Sequence, residues 1–237
     1  VNGSLLSTKN IVIATGASPA IPPIPGLEDS VYSTSDSIWK LRELPKQLLV
    51  IGGGPIGCEL AQAFRRLGSQ VTILTRDPKV LPKEDRDLAE LVLKNFESEG
   101  IQMQTEVQVE RIEKKNSEQQ VYFRKDDVDQ QIKVDHILLA TGRKPGTSGL
   151  GLKEVGVELN PDGTVKVDPF LRSSIPNIYA CGDVAGPFQF THVAGHQAWY
   201  ATVNALFSPF KKFAVDYRVV PWCTFTDPEL ARVGLSE

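Results

Sequence analysis

The sequence predicts an α/β fold: a parallel-sheet domain with a β-meander, inserted into a second domain that it interrupts. Three observations predict it. From Gln47 onward, short apolar runs alternate with helix-length amphipathic segments. A glycine-rich turn, Gly52 to Gly57, joins the first such run to the first helix. Two similar strand endings, Ile13-Ala14-Thr15-Gly16 and Leu139-Ala140-Thr141-Gly142, flank the whole stretch as the two sides of an insertion would.

In chain order, residues 10–13 form an apolar run that Thr15-Gly16 ends, as a buried strand would be ended. Pro19, Pro22, Pro23, Pro25 and Gly26 then make a stiff connection that is neither helix nor central strand. Ser35-Asp36 is placed to cap a short helix reaching Leu44, which Pro45 stops. Residues 48–51 read as a strand, 55–67 as a helix closed by Gly68, and 71–74 as a second strand. A helix over 85–98 ends at Gly100, and 101–104 is a third strand. Residues 107–134 alternate β-rich pieces with polar links at Asn116-Ser117 and Asp126-Asp127, which predicts an antiparallel meander. A buried strand follows at 137–140. After a second proline- and glycine-rich link come strands at 165–167 and 178–180, a helix over 194–207 stopped by Pro209, and a strand-like stretch at 219–225.

At 237 residues the chain suffices for one large domain or two modest ones. A net charge of −3 gives no long-range attraction to nucleic acid or an anionic membrane, so neither is expected as a partner. No apolar run approaches the roughly 18 residues of a bilayer span, and no charged-then-apolar targeting segment opens the chain. Cys58, Cys181 and Cys223 are scattered and odd in number, which speaks against a disulfide framework. A reducing, cytoplasmic location is therefore expected, with an organelle matrix or stroma the alternative. Met103 is the only methionine, so Val1 is not a translation start and an internal fragment is expected.

The most informative motif is Gly52-Gly53-Gly54-Pro55-Ile56-Gly57, which fits G-x-G-x-x-G directly between a predicted strand and a predicted helix. Gly52 allows the tight turn, Gly54 lets backbone approach a pyrophosphate, and Gly57 lets helix and strand pack closely. The phosphates would sit on the helix N-terminus, where Ile56 follows Pro55 in the first turn and unpaired N–H groups favour an anion. A glycine-rich turn without ligand is the alternative. The residue ending the second strand selects the coenzyme. An acid there would bind the ribose 2′-hydroxyl of NADH, but the sequence has Thr75-Arg76. A guanidinium pairs with a 2′-phosphate, which favours NADPH over NADH; nearby Asp77 keeps NADH open.

With these motifs placed, the chain resembles the pyridine nucleotide–disulfide oxidoreductases, the flavoprotein family of dihydrolipoamide dehydrogenase, glutathione reductase and mercuric reductase. The resemblance rests on Ala14-Thr15-Gly16, on Gly52 to Glu59, on Ala140-Thr141-Gly142-Arg143-Lys144-Pro145, on Ala180-Cys181-Gly182-Asp183, and on the closing TFTDPELARVGLSE. It implies a Rossmann-like NAD(P)-binding domain inserted in a partial FAD-binding domain. The expected borders are 1–28 and 147–215 for the FAD segments, 29–146 for the NAD(P) domain, and 216–237 for the start of a dimerisation domain. It implies hydride transfer from NAD(P)H to FAD and on to a disulfide or related acceptor, in a homodimeric parent.

Carried over residue by residue, Thr15, Gly16, Gly182 and Asp183 would face FAD, with Asp183 on the ribityl chain. Gly142 would join the NAD(P) site, and Glu59 would act near the flavin–nicotinamide contact. A bare helix-dipole role for Glu59 and a plain turn at Gly182-Asp183 are the alternatives.

The departures shape the expectation. The FAD-binding glycine motif, the redox cysteine pair and the His-Glu acid–base pair of the family have no counterpart in the chain. FAD is therefore expected to bind poorly, and a dinucleotide-binding module without activity, or a disulfide-less flavoprotein using quinone or oxygen, remain alternatives. Pro55 stands where some members carry an aromatic gate, and Pro82 near where glutathione reductases carry a second arginine. Thr75-Arg76 leans toward members resembling mercuric reductase. His192 and His196, spaced i, i+4, lack the third ligand of a zinc site, so no metal is expected. The three cysteines read as small packing residues, and Lys114-Lys115 as a solvated pair on a polar link.

Overall fold

The computed structural model describes residues 5–115, 118–208 and 210–234; Asn116, Ser117 and Pro209, given roles above, lie outside them. Its strands are β1 (Ile11–Ile13), β2 (Ala17–Pro19), β3 (Tyr32–Thr34), β4 (Gln47–Ile51), β5 (Gln70–Leu74), β6 (Gln102–Gln104), β7 (Gln108–Lys115), β8 (Glu118–Lys125), β9 (Val128–Val134), β10 (His136–Leu139), β11 (Arg143–Pro145), β12 (Ile178–Ala180), β13 (Pro221–Thr224) and β14 (Leu230–Val233). Its α-helices are α1 (Pro55–Leu67), α2 (Arg86–Ser98) and α3 (Thr191–Phe207). The chain forms two compact units. The larger takes Pro19–Gly142 and Pro221–Glu237, the smaller Val1–Ser18 and Arg143–Val220.

The larger unit is built on a five-stranded parallel sheet in the order β3-β10-β4-β5-β6. Successive strand residues point to opposite faces, so a sheet covered on both sides needs unbroken apolar runs, and Leu48 to Ile51 supplies one. Leu48 and Val50 join Val71, Ile73 and Leu138 against Cys58, Leu60 and Ala61 of α1 and Ala89, Val92 and Phe96 of α2. Leu49 and Ile51 join Leu74, Ile137 and Leu139 against Ile112, Val121, Phe123 and Val134 of the antiparallel β7-β8-β9 meander. Helices thus cover one face and the meander the other.

A buried side chain ties meander to sheet. The Gln119 amide donates to the carbonyls of Val31 and Asp135 at 3.0 and 3.1 Å, and its oxygen accepts the Val31 amide at 2.6 Å. The β13–β14 hairpin also belongs to this unit, with Leu230 in the helix-side core.

In the smaller unit β1 and β12 pair in parallel and β2 pairs with β11. Helix α3 buries Val193, Gln197, Ala201 and Asn204, a stripe at the helical repeat. Asn204 is satisfied by the Phe170 and Phe213 carbonyls and the Phe213 amide.

Three local expectations are corrected. The helix expected from Ser35-Asp36 to Leu44 is a single 3-10 turn at Ile38–Lys40, because Leu41 already has an extended ψ of 136°. Residues 165–167 make only an isolated bridge, Leu159 to Val165, since the Val165 amide goes instead to the Val184 carbonyl. Lys114 and Lys115 end strand β7 rather than occupying a link.

Candidate functional site

The glycine turn follows β4 and opens α1. Gly52 has a φ of 120°, and a Cβ there would lie 2.2 Å from the Ala140 carbonyl oxygen, so backbone just past β10 occupies the space of any side chain. A Cβ at Gly57 would lie 2.2 Å from the Gly52 carbonyl oxygen. Gly54 is the opposite case: extended, at the N-cap of α1, with nothing within 4 Å of its Cβ position. The turn is therefore packed shut on the protein side and open at Gly54. Pro55 takes the first helical position, and the first-turn amides of Ile56 and Gly57 have no partner within the helix by geometry alone. That arrangement presents N–H groups and a positive dipole end to an anion.

Thr75 directly follows β5, against this turn. A Cβ at Gly53 would meet the Thr75 side chain at 3.1 Å, and Thr75 is buried, with its hydroxyl accepting the Asp77 amide at 3.3 Å. Arg76 projects into solvent immediately after it, and no described carboxylate pairs with it. At the end of β10, Gly142 has a φ of 108° and open space about its Cβ position, and its carbonyl accepts the Ala20 amide at 2.9 Å. The structure thus gathers Gly52, Gly54, Pro55, Ile56, Gly57, Thr75 and Arg76 around one turn, with the end of β10 against it.

Glu59 is differently engaged. Its Oε1 accepts the backbone N–H of Phe225 at 2.9 Å, just past β13. Burial pushes its carboxyl above the usual carboxylate range, and that hydrogen bond works against the rise. That bond directs the carboxyl group to the hairpin. Glu59 lines an open cleft of about 450 Å³ with Gln62, Arg66, Thr226 and Asp227.

In the smaller unit, β1 and β12 run parallel and the Cys181 amide donates to the Ile13 carbonyl at 3.0 Å. The carboxyl ends of both strands therefore share one edge, which carries Thr15-Gly16 and Gly182-Asp183. Thr15 Oγ1 donates to the Gly146 carbonyl at 2.7 Å, and Gly16, with a φ of 66°, has an open Cβ position. Gly182 donates its amide to Gln197 Oε1 at 2.6 Å. Asp183 pairs with Arg143, Oδ2 to Nε 3.3 Å, and Arg143 Nη2 donates to the Ala17 carbonyl at 2.6 Å.

Sequence reasoning had not singled out Arg143 as a site residue, or Leu81, whose amide donates to the Gly53 carbonyl at 2.7 Å. The Arg143 signal stood beside Gly142. Leu81 has a φ of 53°, and nothing in the type or spacing of a leucine announces a left-handed backbone.

His192 stacks on Phe190 at 5.4 Å and His196 meets Tyr200 edge-on at 4.8 Å. Among the described residues no group of three or more His, Cys, Asp or Glu is placed to hold a metal, and no helix is long and apolar enough to cross a membrane. Burial pushes the thiols of Cys58, Cys181 and Cys223 up, in the direction that disfavours a thiolate.

The profile of the pyridine nucleotide-disulphide oxidoreductase family matches residues 1–198. The chain belongs to that family. Mercuric reductases of Lysinibacillus sphaericus and Staphylococcus aureus are 41% and 38% identical over the whole chain, which spans 43% of each. A dihydrolipoyl dehydrogenase of Bacillus subtilis is 34% identical over 96% of the chain and 48% of its own length. The chain thus spans less than half the length of these relatives. Among solved structures, the HOCl-induced flavoprotein disulfide reductase RclA from Escherichia coli superposes with a TM-score of 0.85 at 36% identity, covering 96% of this chain and 52% of that one. LpdA from Mycobacterium tuberculosis gives a TM-score of 0.86 at 31% identity, covering 95% and 48%. The family uses FAD and NAD(P)H, and the architecture is the Rossmann-like α/β class.

Proposed function

We propose that the larger unit is the nicotinamide-nucleotide site, and the smaller unit part of the FAD site, of a flavin-dependent disulfide oxidoreductase. When bound, the two coenzymes supply hydride transfer from NAD(P)H to FAD and on to a disulfide or related acceptor. The single observation that carries this reading is the glycine turn, closed by backbone at Gly52 and Gly57 and open at Gly54. Its role is to bind: first-turn amides of α1 receive the pyrophosphate, Thr75 shapes the wall, and Arg76 receives the 2′-phosphate of NADPH in preference to the hydroxyl of NADH. Gly142 leaves room for backbone approach at the end of β10. Glu59, turned to Phe225, keeps its charge off the phosphates. In the smaller unit Asp183, fixed by Arg143, has its second oxygen available for a ribityl hydroxyl, and Gly16 and Gly182 leave space beside it. We assign the whole protein a homodimeric, cytoplasmic state, as its family and its unpaired cysteines suggest.

Calorimetric titration of the chain with NADPH and NADH tests the reading. Binding of NADPH that is tighter than NADH supports it, and binding of neither overturns it. For the chain alone, the inactive-module reading is favoured by one observation. Ile11 and Val12 of β1 are 46% and 41% exposed, an open apolar face on a two-stranded sheet. The isolated chain is therefore expected to bind FAD weakly and to need the rest of its parent for turnover.

A further inference from the structure

The loop joining β5 to α2 starts at Arg76 in solvent and then turns inward, with Val80 and Leu81 each 1% exposed. The Leu81 amide fastens it to the Gly53 carbonyl, and the Glu84 amide donates to the Leu81 carbonyl at 3.0 Å. Glu84 closes the loop and carries a carboxylate that is almost wholly buried, an arrangement that costs free energy unless partners compensate. The partners come from the far end of the sequence. Trp222 Nε1 in β13 donates to Glu84 Oε1 at 2.8 Å. Arg232 in β14 places Nη1 4.0 Å from Glu84 Oε2, donates to the Lys83 carbonyl at 3.1 Å, and stacks over the Trp222 ring at 4.7 Å. From within the loop, Lys79 Nζ donates to the Glu84 carbonyl at 3.0 Å.

The same hairpin grips the other arm of the turn. Phe225 donates to Glu59 on α1, and Gln62 exchanges hydrogen bonds with the Asp227 backbone at 2.7 and 2.8 Å. Helix α1 receives the phosphates and the loop receives the ribose end, so one hairpin holds both.

We propose that the β13–β14 hairpin is a brace for the 2′ end of the dinucleotide site, in which Glu84, Trp222 and Arg232 are positioning residues that set where Arg76 stands. The proposal rests on the nucleotide reading of the glycine turn and of Arg76. Its physical basis is the shortness and stiffness of the link. Between Arg76 and Glu84 the chain is short, contains Pro78 and Pro82, and is tied across by Lys79 Nζ to the Glu84 carbonyl, so displacement of Glu84 is carried toward Arg76. A staple with no bearing on the ligand would alter thermal stability and leave coenzyme discrimination untouched.

The test uses the full chain with 2′,5′-ADP and 5′-AMP, two ligands that need neither flavin nor turnover, measured by calorimetry beside the melting temperature. The unmodified chain should prefer 2′,5′-ADP. Trp222→Phe should cut that preference about fivefold, the worth of one partly screened ionic contact, with 5′-AMP affinity little changed. Glu84→Gln keeps an acceptor for the indole and should retain most of the preference. If Trp222→Phe does not fold, Arg232→Gln, which removes the guanidinium from the Lys83 carbonyl and from the face of the Trp222 ring, carries the same expectation. A lowered melting temperature with an unchanged ratio of affinities overturns the brace while leaving the nucleotide reading standing. An unmodified chain that binds neither ligand overturns both.

Discussion

Gln197, wholly buried in α3, accepts the Gly182 amide at 2.6 Å and donates to the Gly186 carbonyl and the Tyr217 hydroxyl, both at 2.7 Å. One side chain thereby fixes the turn that presents Asp183. Replacing it by leucine keeps the volume and strands three polar groups without partners. The expected loss is about 2–4 kcal/mol of stability, read as a lower urea midpoint, together with weaker FAD retention by the parent protein. A midpoint within experimental error of the unmodified chain would show that water replaces the amide at no cost.

The two ends of the glycine motif should respond in opposite ways to the same methyl group. Gly57→Ala places a Cβ against the Gly52 carbonyl and forces α1 away from β4, so the protein should lose cooperative unfolding or melt far lower. Gly54→Ala fits the folded chain, with a φ of −80° and free space, and should keep the melting temperature while weakening NADPH binding. Circular dichroism melts with calorimetry separate the two. Equal melting temperatures for both variants would contradict this account of the turn.

Arg76→Glu should invert coenzyme preference from NADPH to NADH by repelling a 2′-phosphate and accepting a 2′-hydroxyl. Because Arg76 is exposed, stability should stay within about 0.5 kcal/mol. An unaltered NADPH to NADH affinity ratio would remove Arg76 from the site.

His136 is buried in β10 with Nε2 2.9 Å from Ser33 Oγ, and burial pushes its imidazole below the ordinary value near 6.5. The unfolded chain therefore takes up this proton at higher pH than the folded one. The His136 contribution to stability is complete above about pH 6.5 and falls as the pH drops toward the lowered folded value. Urea midpoints measured between pH 7 and 5 should decline, and the decline should be shallower in His136→Gln. Parallel pH profiles for the two proteins would count against it.

The periodic parts of this architecture were legible in the sequence. Residues 55–67 and 178–180 have the expected bounds, because Pro55 and Gly68 punctuate the helix and an apolar run ends at Cys181. The apolar run Leu48 to Ile51 was readable as a strand. What escaped depends on distant partners. Tyr32–Thr34 is a strand only because β10 lies beside it, and neither its three residues nor the prolines before it carry a pattern. At the candidate site, the glycines were readable because backbone geometry restricts residue type. The Phe225 amide on Glu59 and the Trp222 indole on Glu84 were not, since each joins residues far apart in the chain and a hydrogen bond of that kind leaves no spacing to read.

The amide of Gln119 bridges elements that would otherwise come apart independently. A three-stranded antiparallel ribbon is a local structure that can fray and reform by itself, whereas a parallel sheet requires distant segments to meet. By capturing Val31 before β3 and Asp135 before β10, Gln119 makes opening of the ribbon expose a buried carboxamide and disturb the entry to two sheet strands at once. The ribbon amides should therefore exchange with solvent deuterium only as fast as global unfolding permits, in step with those of β4 and β10.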